Sequence, residues 1–364
     1  MKVKLGNLTK IRTGKLDANA SSEDGAYPFF TCSREPLKIN TYSYECECIL
    51  VAGNGDLNVK YYNGKFDAYQ RTYIIEAKQP NVLYMPYLYY FMEKYIVELR
   101  KLAIGGVIKY IKLGNLTEAL IELPSYNQQR SLVERLEKVK SAIDKRNKQL
   151  AKLDELVKCR FVELFGDIIR NDKKWAIYNL GDITSSRLGK MLDTKHKTGR
   201  NNYPYLANFN VQWFHFELNQ LNKMDFDDNE RIEFQLKEGD ILVCEGGEIG
   251  RCAVWHNELK ECFFQKALHR VRCDVNKVLP DYVAWWFKYN CDHKAFDVIA
   301  GAKATIAHLP GVKLKKLRIA VPDIQLQRDF TIFLRRIYKL RFVIQQSLDE
   351  TQKLFDSLMQ EYFD

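Results

Sequence analysis

The side chains in this sequence best suited to chemistry lie in turn-rich stretches between strand-like runs. They are hydrogen-bond donors and acceptors rather than nucleophiles. In the first third they are Ser33, Arg34, Asn54, Asp56, Asn58, Lys60, Lys65, Tyr69, Gln70, Arg71, Lys109 and Tyr110. Past the middle they are Asn208, Asn210, Gln212, Trp213, Glu245, Glu248, Arg251, Gln265, Lys266, His269, Arg270, Lys303, Thr305 and His308. Arg and Lys pair bidentately with guanine edges, and Asn and Gln with adenine. For any one of them a solvated side chain or a turn-closing bond is the commoner role. The expectation of base and phosphate contact therefore attaches first to the loops as segments.

Signatures of catalysis are missing. Gly53-Asn54-Gly55 and Glu245-Gly246-Gly247 are glycine-rich, but neither leads into Gly-Lys-Ser/Thr. No G-x-G-x-x-G follows a strand, and neither H-E-x-x-H nor G-x-S-x-G occurs. The six histidines are dispersed, and no Asn-Pro-Pro-aromatic run of the amino-methyltransferase kind is present. The nine cysteines include a C-x-C at Cys46 and Cys48 but no C-x-x-C. They suit buried thiols in a reducing compartment better than a metal site. The alternative reading, a self-contained DNA-acting enzyme such as a nuclease, would need an active site of unfamiliar pattern.

The net charge of +10 points to a polyanionic partner, with nucleic acid foremost. The hydrophobic fraction of 46% is that of a folded protein, and 364 residues allow two or three domains. No apolar run approaches the ~18 residues of a membrane span. The first residues, Met-Lys-Val-Lys-Leu-Gly, carry no apolar signal region, so a cytoplasmic location and no membrane partner are expected.

The elements that must position the loops are two long helices and two sheets. From Asn127 to Phe165 there is no Gly or Pro, and apolar residues recur on a seven-residue beat. Leu136, Ile143, Leu150, Val157 and Leu164 occupy one seam position, and Leu132, Val139 and Leu153 the other, interrupted by Arg146 and Arg160. That is a coiled-coil seam. A second seam runs through Phe330, Leu334, Ile337, Ile344, Leu348, Phe355, Leu358 and Tyr362, with Arg341 and Thr351 interrupting. Pro124, Gln129 and Arg130 before the first helix recur as Pro322, Gln327 and Arg328 before the second. Two narrow stripes, each lacking a partner, are expected to pair with each other.

The segments before the helices also repeat. Leu5-Gly6-Asn7-Leu8-Thr9 and Gly14-Lys15 return as Leu180-Gly181-Asp182-Ile183-Thr184 and Gly189-Lys190. Tyr27-Pro28-Phe29-Phe30 returns as Tyr203-Pro204-Tyr205-Leu206, and Gln265 echoes Gln70. An aromatic helix starts at Pro86 and again at Pro280, and the glycine stretch at Gly105 returns at Gly301. The framework is constant and the loop residues differ, which is how one scaffold presents two binding faces.

These features together resemble the specificity (S) subunit of type I restriction–modification systems. The likeness covers essentially the whole chain. It rests on the repeated Leu-Gly-x-Leu/Ile-Thr opening, the Ile-Leu-Val strand before a glycine loop, and the Pro-x-x-x-x-Gln-Arg lead-in. Gln128 stands where such lead-ins often carry an acid. The resemblance implies an α+β fold with internal duplication: two similar mixed α/β target-recognition domains separated by two long helices in an antiparallel coiled coil. The expected boundaries are 1–125, 126–166, 167–323 and 324–364. It implies double-stranded DNA as ligand, each domain reading half of a bipartite site, and no cofactor or catalysis in this chain. Two methyltransferase (modification) subunits would bring S-adenosylmethionine. Restriction/translocase subunits, where present, would bring ATP and Mg.

Overall fold

The computed structural model describes residues 1–191, 201–296 and 308–363. The chain divides into two compact units, Met1–Gln149 with Ile344–Asp364, and Leu150–Val343. The central helix, Tyr126–Phe165, and the distal helix, Ile324–Phe363, are each 40 residues long, roughly 60 Å at 1.5 Å per residue. Each helix contributes one half to each unit.

The first unit carries a six-stranded mixed sheet in the spatial order Thr9–Thr13, Thr72–Ala77, Tyr44–Ala52, Val59–Ala68, Tyr27–Phe30, Leu37–Ile39. Only Tyr27–Phe30 and Val59–Ala68 run parallel. Lys2–Lys4 pairs antiparallel with Leu120–Glu122, closing the globule just before the central helix starts. The helix Met85–Leu102 buries Leu88, Met92, Ile96 and Leu99 in one core with Ile49, Val51 and Ile75 of the sheet. Val133 and Leu136 of the central helix enter that core, and Phe355, Leu358 and Met359 of the distal helix pack against it.

The second unit repeats the plan with shorter strands. Thr184–Leu188, Leu268–Cys273, Ile241–Cys244 and Cys252–Val254 form an antiparallel sheet. Asn222–Asp225, Asn202–Leu206 and Phe263–Phe264 form a second, mixed one. Ala176–Asn179 pairs antiparallel with Arg318–Val321, matching the closure of the first unit. The helix Pro280–Asp292 lies against the central helix through Tyr282, whose ring is 4.9 Å from Phe165.

Hydrogen bonds explain the repeated lead-in to each long helix. Gln129 is wholly buried. Its Oε1 accepts from the Tyr84 N–H at 2.8 Å, and its Nε2 donates to the carbonyls of Val82 and Pro124, both at 2.9 Å. Gln327 does the same: it accepts from the Leu279 N–H at 2.8 Å and donates to Lys277 at 3.3 Å and Pro322 at 2.8 Å. Each glutamine thus ties the head of a long helix to the approach of an aromatic helix. Gln128 completes a reciprocal cap with Ser125, accepting from its N–H at 2.9 Å.

The long helices pair antiparallel. In the second unit Phe330 meets Phe161 at 5.5 Å between ring centroids, and Arg341 forms an ion pair with Asp154. In the first, Arg146 donates to Ser347 Oγ at 3.1 Å. Two of the arginines that break the heptad, Arg146 and Arg341, therefore make polar contacts between the helices, whereas Arg160 pairs with Glu163 on its own helix. One expectation needs widening. Val133, Phe161 and Phe165 are as buried as any seam residue, whereas Ile143, Leu150 and Ile344 are only half-buried. At its ends the helix pair meets a third helix, so the apolar stripe there is broader than two-helix packing requires.

Losing the Gln129 amide would strand the part-buried Tyr84 N–H and two carbonyls. Gln129→Ala and Gln327→Ala should each lower stability by about 1–3 kcal/mol, the range for leaving a buried group unsatisfied. Exposed Lys148→Ala should stay within about 0.5 kcal/mol. Denaturant midpoints at unchanged m-value check this; a neutral Gln129→Ala contradicts the anchoring role.

Candidate nucleic-acid interface

Glycine geometry shapes the loop rims. A Cβ at Gly14 would lie 2.1 Å from the Ala68 carbonyl oxygen, and one at Gly189 would lie 2.3 Å from that of Gln265. Only glycine lets these chains pass so close, which accounts for the repeated Gly-Lys. The backbone bonds correct one equivalence. The Tyr69 N–H donates to Phe30 at 2.9 Å and the Gln265 N–H to Leu206 at 3.1 Å. The Gln70 N–H donates to Leu16 and the Lys266 N–H to Lys190, both at 2.9 Å. Gln265 therefore matches Tyr69, and Lys266 matches Gln70. The turn is set by the backbone, and the shared glutamine identity is misleading.

In the first unit most of the expected residues share one rim. Arg34 Nε pairs with Asp56 Oδ2 at 2.9 Å, and both side chains are exposed. Asn58 Nδ2 donates to the carbonyls of Cys32 and Asp56, each at 2.8 Å, and its Oδ1 accepts from Lys60. Asn58 is thus a brace for the loop, and burial holds Lys60 below the ordinary lysine value. The Gly53 N–H donates to the Arg71 carbonyl at 2.8 Å, and the Gly55 N–H to that of Lys109 at 3.0 Å. Asn54 bridges to Tyr110. Arg34, Asn54, Tyr69, Gln70, Arg71, Lys109 and Tyr110 therefore cluster around one glycine loop. Arg100, on the helix below, reaches Asp56 at 3.6 Å and the Leu57 carbonyl at 3.0 Å, a contribution that loop composition could not signal.

Lys65 does not join them. It sits at the other end of its hairpin, where it pairs across the strands with Glu45, with Nζ 4.6 Å from the Tyr42 ring centre. The Tyr42 hydroxyl, then Glu45, raises its pKa.

The second unit builds its rim from Asn208, Trp213, Glu248 and Arg251. Arg251 Nη2 donates to Asn208 Oδ1 at 2.8 Å, and Nη1 reaches Glu248 at 3.4 Å. Trp213 Nε1 donates to Glu248 Oε1 at 2.6 Å, with Lys288 Nζ 5.0 Å above the Trp213 ring. Gln212 Nε2 donates to the Phe209 carbonyl at 3.0 Å, and Phe209 itself is 54% exposed. The Glu245 N–H donates to Ala267 at 3.0 Å, and Gly246 bridges to His308. That brings exposed Lys266 and His308 to the same rim, with Gln265 at the turn. A groove of about 1780 Å³ opens beside Lys266; Arg187, Lys190, Lys223 and Lys315 are on its walls, with Glu230 holding Lys190 at 2.5 Å. Lys303 and Thr305 lie outside the described residues.

Three of the expected contacts are committed to the fold. Asn210 is 1% exposed; its Oδ1 accepts from the Ala207 N–H at 2.9 Å and its Nδ2 donates to Glu217 and Gln220 at 2.8 and 3.2 Å. His269 is 1% exposed, with Nε2 2.9 Å from the Leu309 carbonyl, and burial pushes its pKa below the ordinary histidine value. Arg270 donates to the Glu233 carbonyl at 2.7 Å beneath the sheet. A polar side chain in a strand or turn becomes structural when its own backbone neighbourhood lacks a partner.

Among the described residues no group of three or more His, Cys, Asp or Glu could hold a metal ion, and no helix is long and apolar enough to cross a membrane. None of the nine cysteines is joined in a disulfide.

The two globules share one framework and differ at the loop tips. The profile of the type I restriction modification DNA specificity domain matches residues 1–155 and again 172–351, so the chain belongs to that family. The specificity subunit of the type I restriction enzyme EcoDI of Escherichia coli is 38% identical over 156 residues. That match covers 43% of this chain and only 34% of the relative's length. A putative type I restriction enzyme specificity subunit of Haemophilus influenzae is 21% identical over 348 residues, covering 91% of this chain and 86% of that one. The S subunit structure from M. genitalium superposes over 100% of this chain and 96% of its own, with TM-score 0.65 and 16% identity, which speaks to the fold. A chain from a structure of type I restriction–modification complex assembly gives TM-score 0.59 at 15% identity, covering 100% of this chain and 97% of that one.

Asn210→Ala should cost about 1–3 kcal/mol of stability, because it strands a buried N–H and two carbonyls. The bases recognised should not change. Denaturation combined with mapping of the recognised site checks both; altered base preference at full stability would return Asn210 to the interface.

Proposed function

We propose that each globule reads one half of a bipartite duplex site, and that the helix pair sets the spacer between the halves. The observation that carries this is the match of backbone bonds around the two glycine loops combined with different side chains at their tips. Gly53 and Glu245 receive the same backbone partners, from Ile111 and Leu309 respectively. Yet the residues presented alongside are Arg34, Gln70 and Arg71 in one case, and Arg251, Trp213 and Lys266 in the other. Arg and Gln suit guanine and adenine edges, while the lysines suit phosphates, which position the protein without carrying sequence.

On this reading the chain works in the cytoplasm between two modification subunits, which supply S-adenosylmethionine chemistry, and with restriction subunits where the system has them. The chain alone, given Mg²⁺, ATP and S-adenosylmethionine, should neither cleave nor methylate DNA; activity of the lone chain would favour a self-contained nuclease.

Arg71→Ala should relax one position of one half-site, at a cost of about 1–3 kcal/mol, and leave the other half-site as it was. Base-resolution methylation sequencing of the assembled complex reads this directly. Affinity should also fall with salt by a slope of roughly −0.9 per phosphate contacted. Equal loss at both halves, or affinity flat in salt, contradicts the proposal.

A further inference from the structure

Large apolar side chains stand at the tip of the first globule's 105–110 loop without a core to join. Val107 is 104% exposed, Ile108 61% and Ile104 44%. The loop is nevertheless firmly tied. Ile104 and Tyr110 exchange both backbone bonds, at 3.0 and 2.8 Å. Lys109 accepts from the Gly55 N–H at 3.0 Å, and the Ile111 N–H donates to Gly53 at 2.9 Å. Gly105 has φ of +119°, and a Cβ there would lie 2.6 Å from the Ile108 carbonyl oxygen, so only glycine closes the tip. The outcome is a narrow prong, braced at its base and apolar at its end. Lys109 stands on the prong, and Arg71 is joined to its base through Gly53.

Exposed aliphatic side chains that serve neither core nor turn mark a contact surface. Here the surroundings choose the partner: the prong rises from the same rim as Arg34, Lys60 and Arg71, so what approaches it is the polyanion bound there. We infer that Val107 and Ile108 form a wedge that enters the base stack at one step of the half-site read by the first globule and bends the duplex at that step. The inference rests on the reading that this globule binds duplex DNA. Apolar side chains pushed between base pairs partly unstack and kink the helix. Pyrimidine–purine steps, TA and CA/TG, deform most readily. The wedged step is therefore one of these, selected by deformability and not by hydrogen bonds.

The test uses the full chain assembled with its modification subunits, and duplexes carrying the site mapped from host methylation. 2-Aminopurine at successive positions of that half-site reports unstacking, and circular-permutation gel mobility reports the bend. The expected result is brightening at one step and a bend of about 20–90°. Both should vanish in the V107S/I108S double variant, which folds normally because these side chains are largely exposed. A duplex that is bound but unbent, or a bend that survives V107S/I108S, overturns the wedge and leaves DNA recognition standing. Failure of the wild-type assembly to bind any duplex overturns the recognition reading, and the wedge with it.

Discussion

The buried glutamine at the head of each long helix is the interaction on which the rest of this structure depends. A primary amide has two donor sites and an acceptor, and in a dry interior leaving them unpaired is costly. Gln129 and Gln327 satisfy theirs on backbone groups from two other places in the chain: the approach to the aromatic helix and the proline turn just before the long helix. The direction of each long helix is therefore fixed by its own globule. A helix anchored in this way can afford a narrow apolar seam, because packing along its whole length is not needed to hold it.

The pairing of the helices divides its work along their length. Near the globules it is a dense aromatic junction: Phe161, Phe165 and Phe330 meet Tyr282 and Trp285, with ring centroids 4.9–6.1 Å apart. Such contacts contribute burial but fix register loosely. Away from the junctions Arg341 on Asp154 and Arg146 on Ser347 add directional contacts that a one-turn slip would break. Exposed ion pairs add little stability, and polar seam residues are better understood as setting register.

The long helices, their pairing with each other and the duplication were legible in the sequence because each leaves a periodic trace, whereas the antiparallel sense came from the family resemblance. Seven-residue spacing and a repeated lead-in survive without any knowledge of neighbours. The loop residues were legible as segments and much less so one by one. Asn210, His269 and Arg270 look identical in type to base readers, yet Asn210 and His269 are buried and bonded to backbone, and Arg270 is held through Nη1 by the Glu233 carbonyl. Lys65 was misplaced because a strand's two ends are indistinguishable by composition. Val133, Phe161 and Phe165 fell outside the heptad because the pattern describes two helices and the ends involve three. Arg100 comes from a helix, and its reach to Asp56 depends on tertiary placement alone.

The central claim is that anchored helices set the distance between two independent readers, and length is the variable that tests it. Seven residues added between Gln149 and Leu150, and seven between Val343 and Ile344, keep both seams in register and lengthen the pair by roughly 10 Å. Duplex DNA rises about 3.4 Å per base step along a strand. Methylation sequencing of the assembled complex should then show the same bases in both half-sites with a longer spacer, by up to about three base pairs. An active complex with an unchanged spacer would show that the helices do not set the distance.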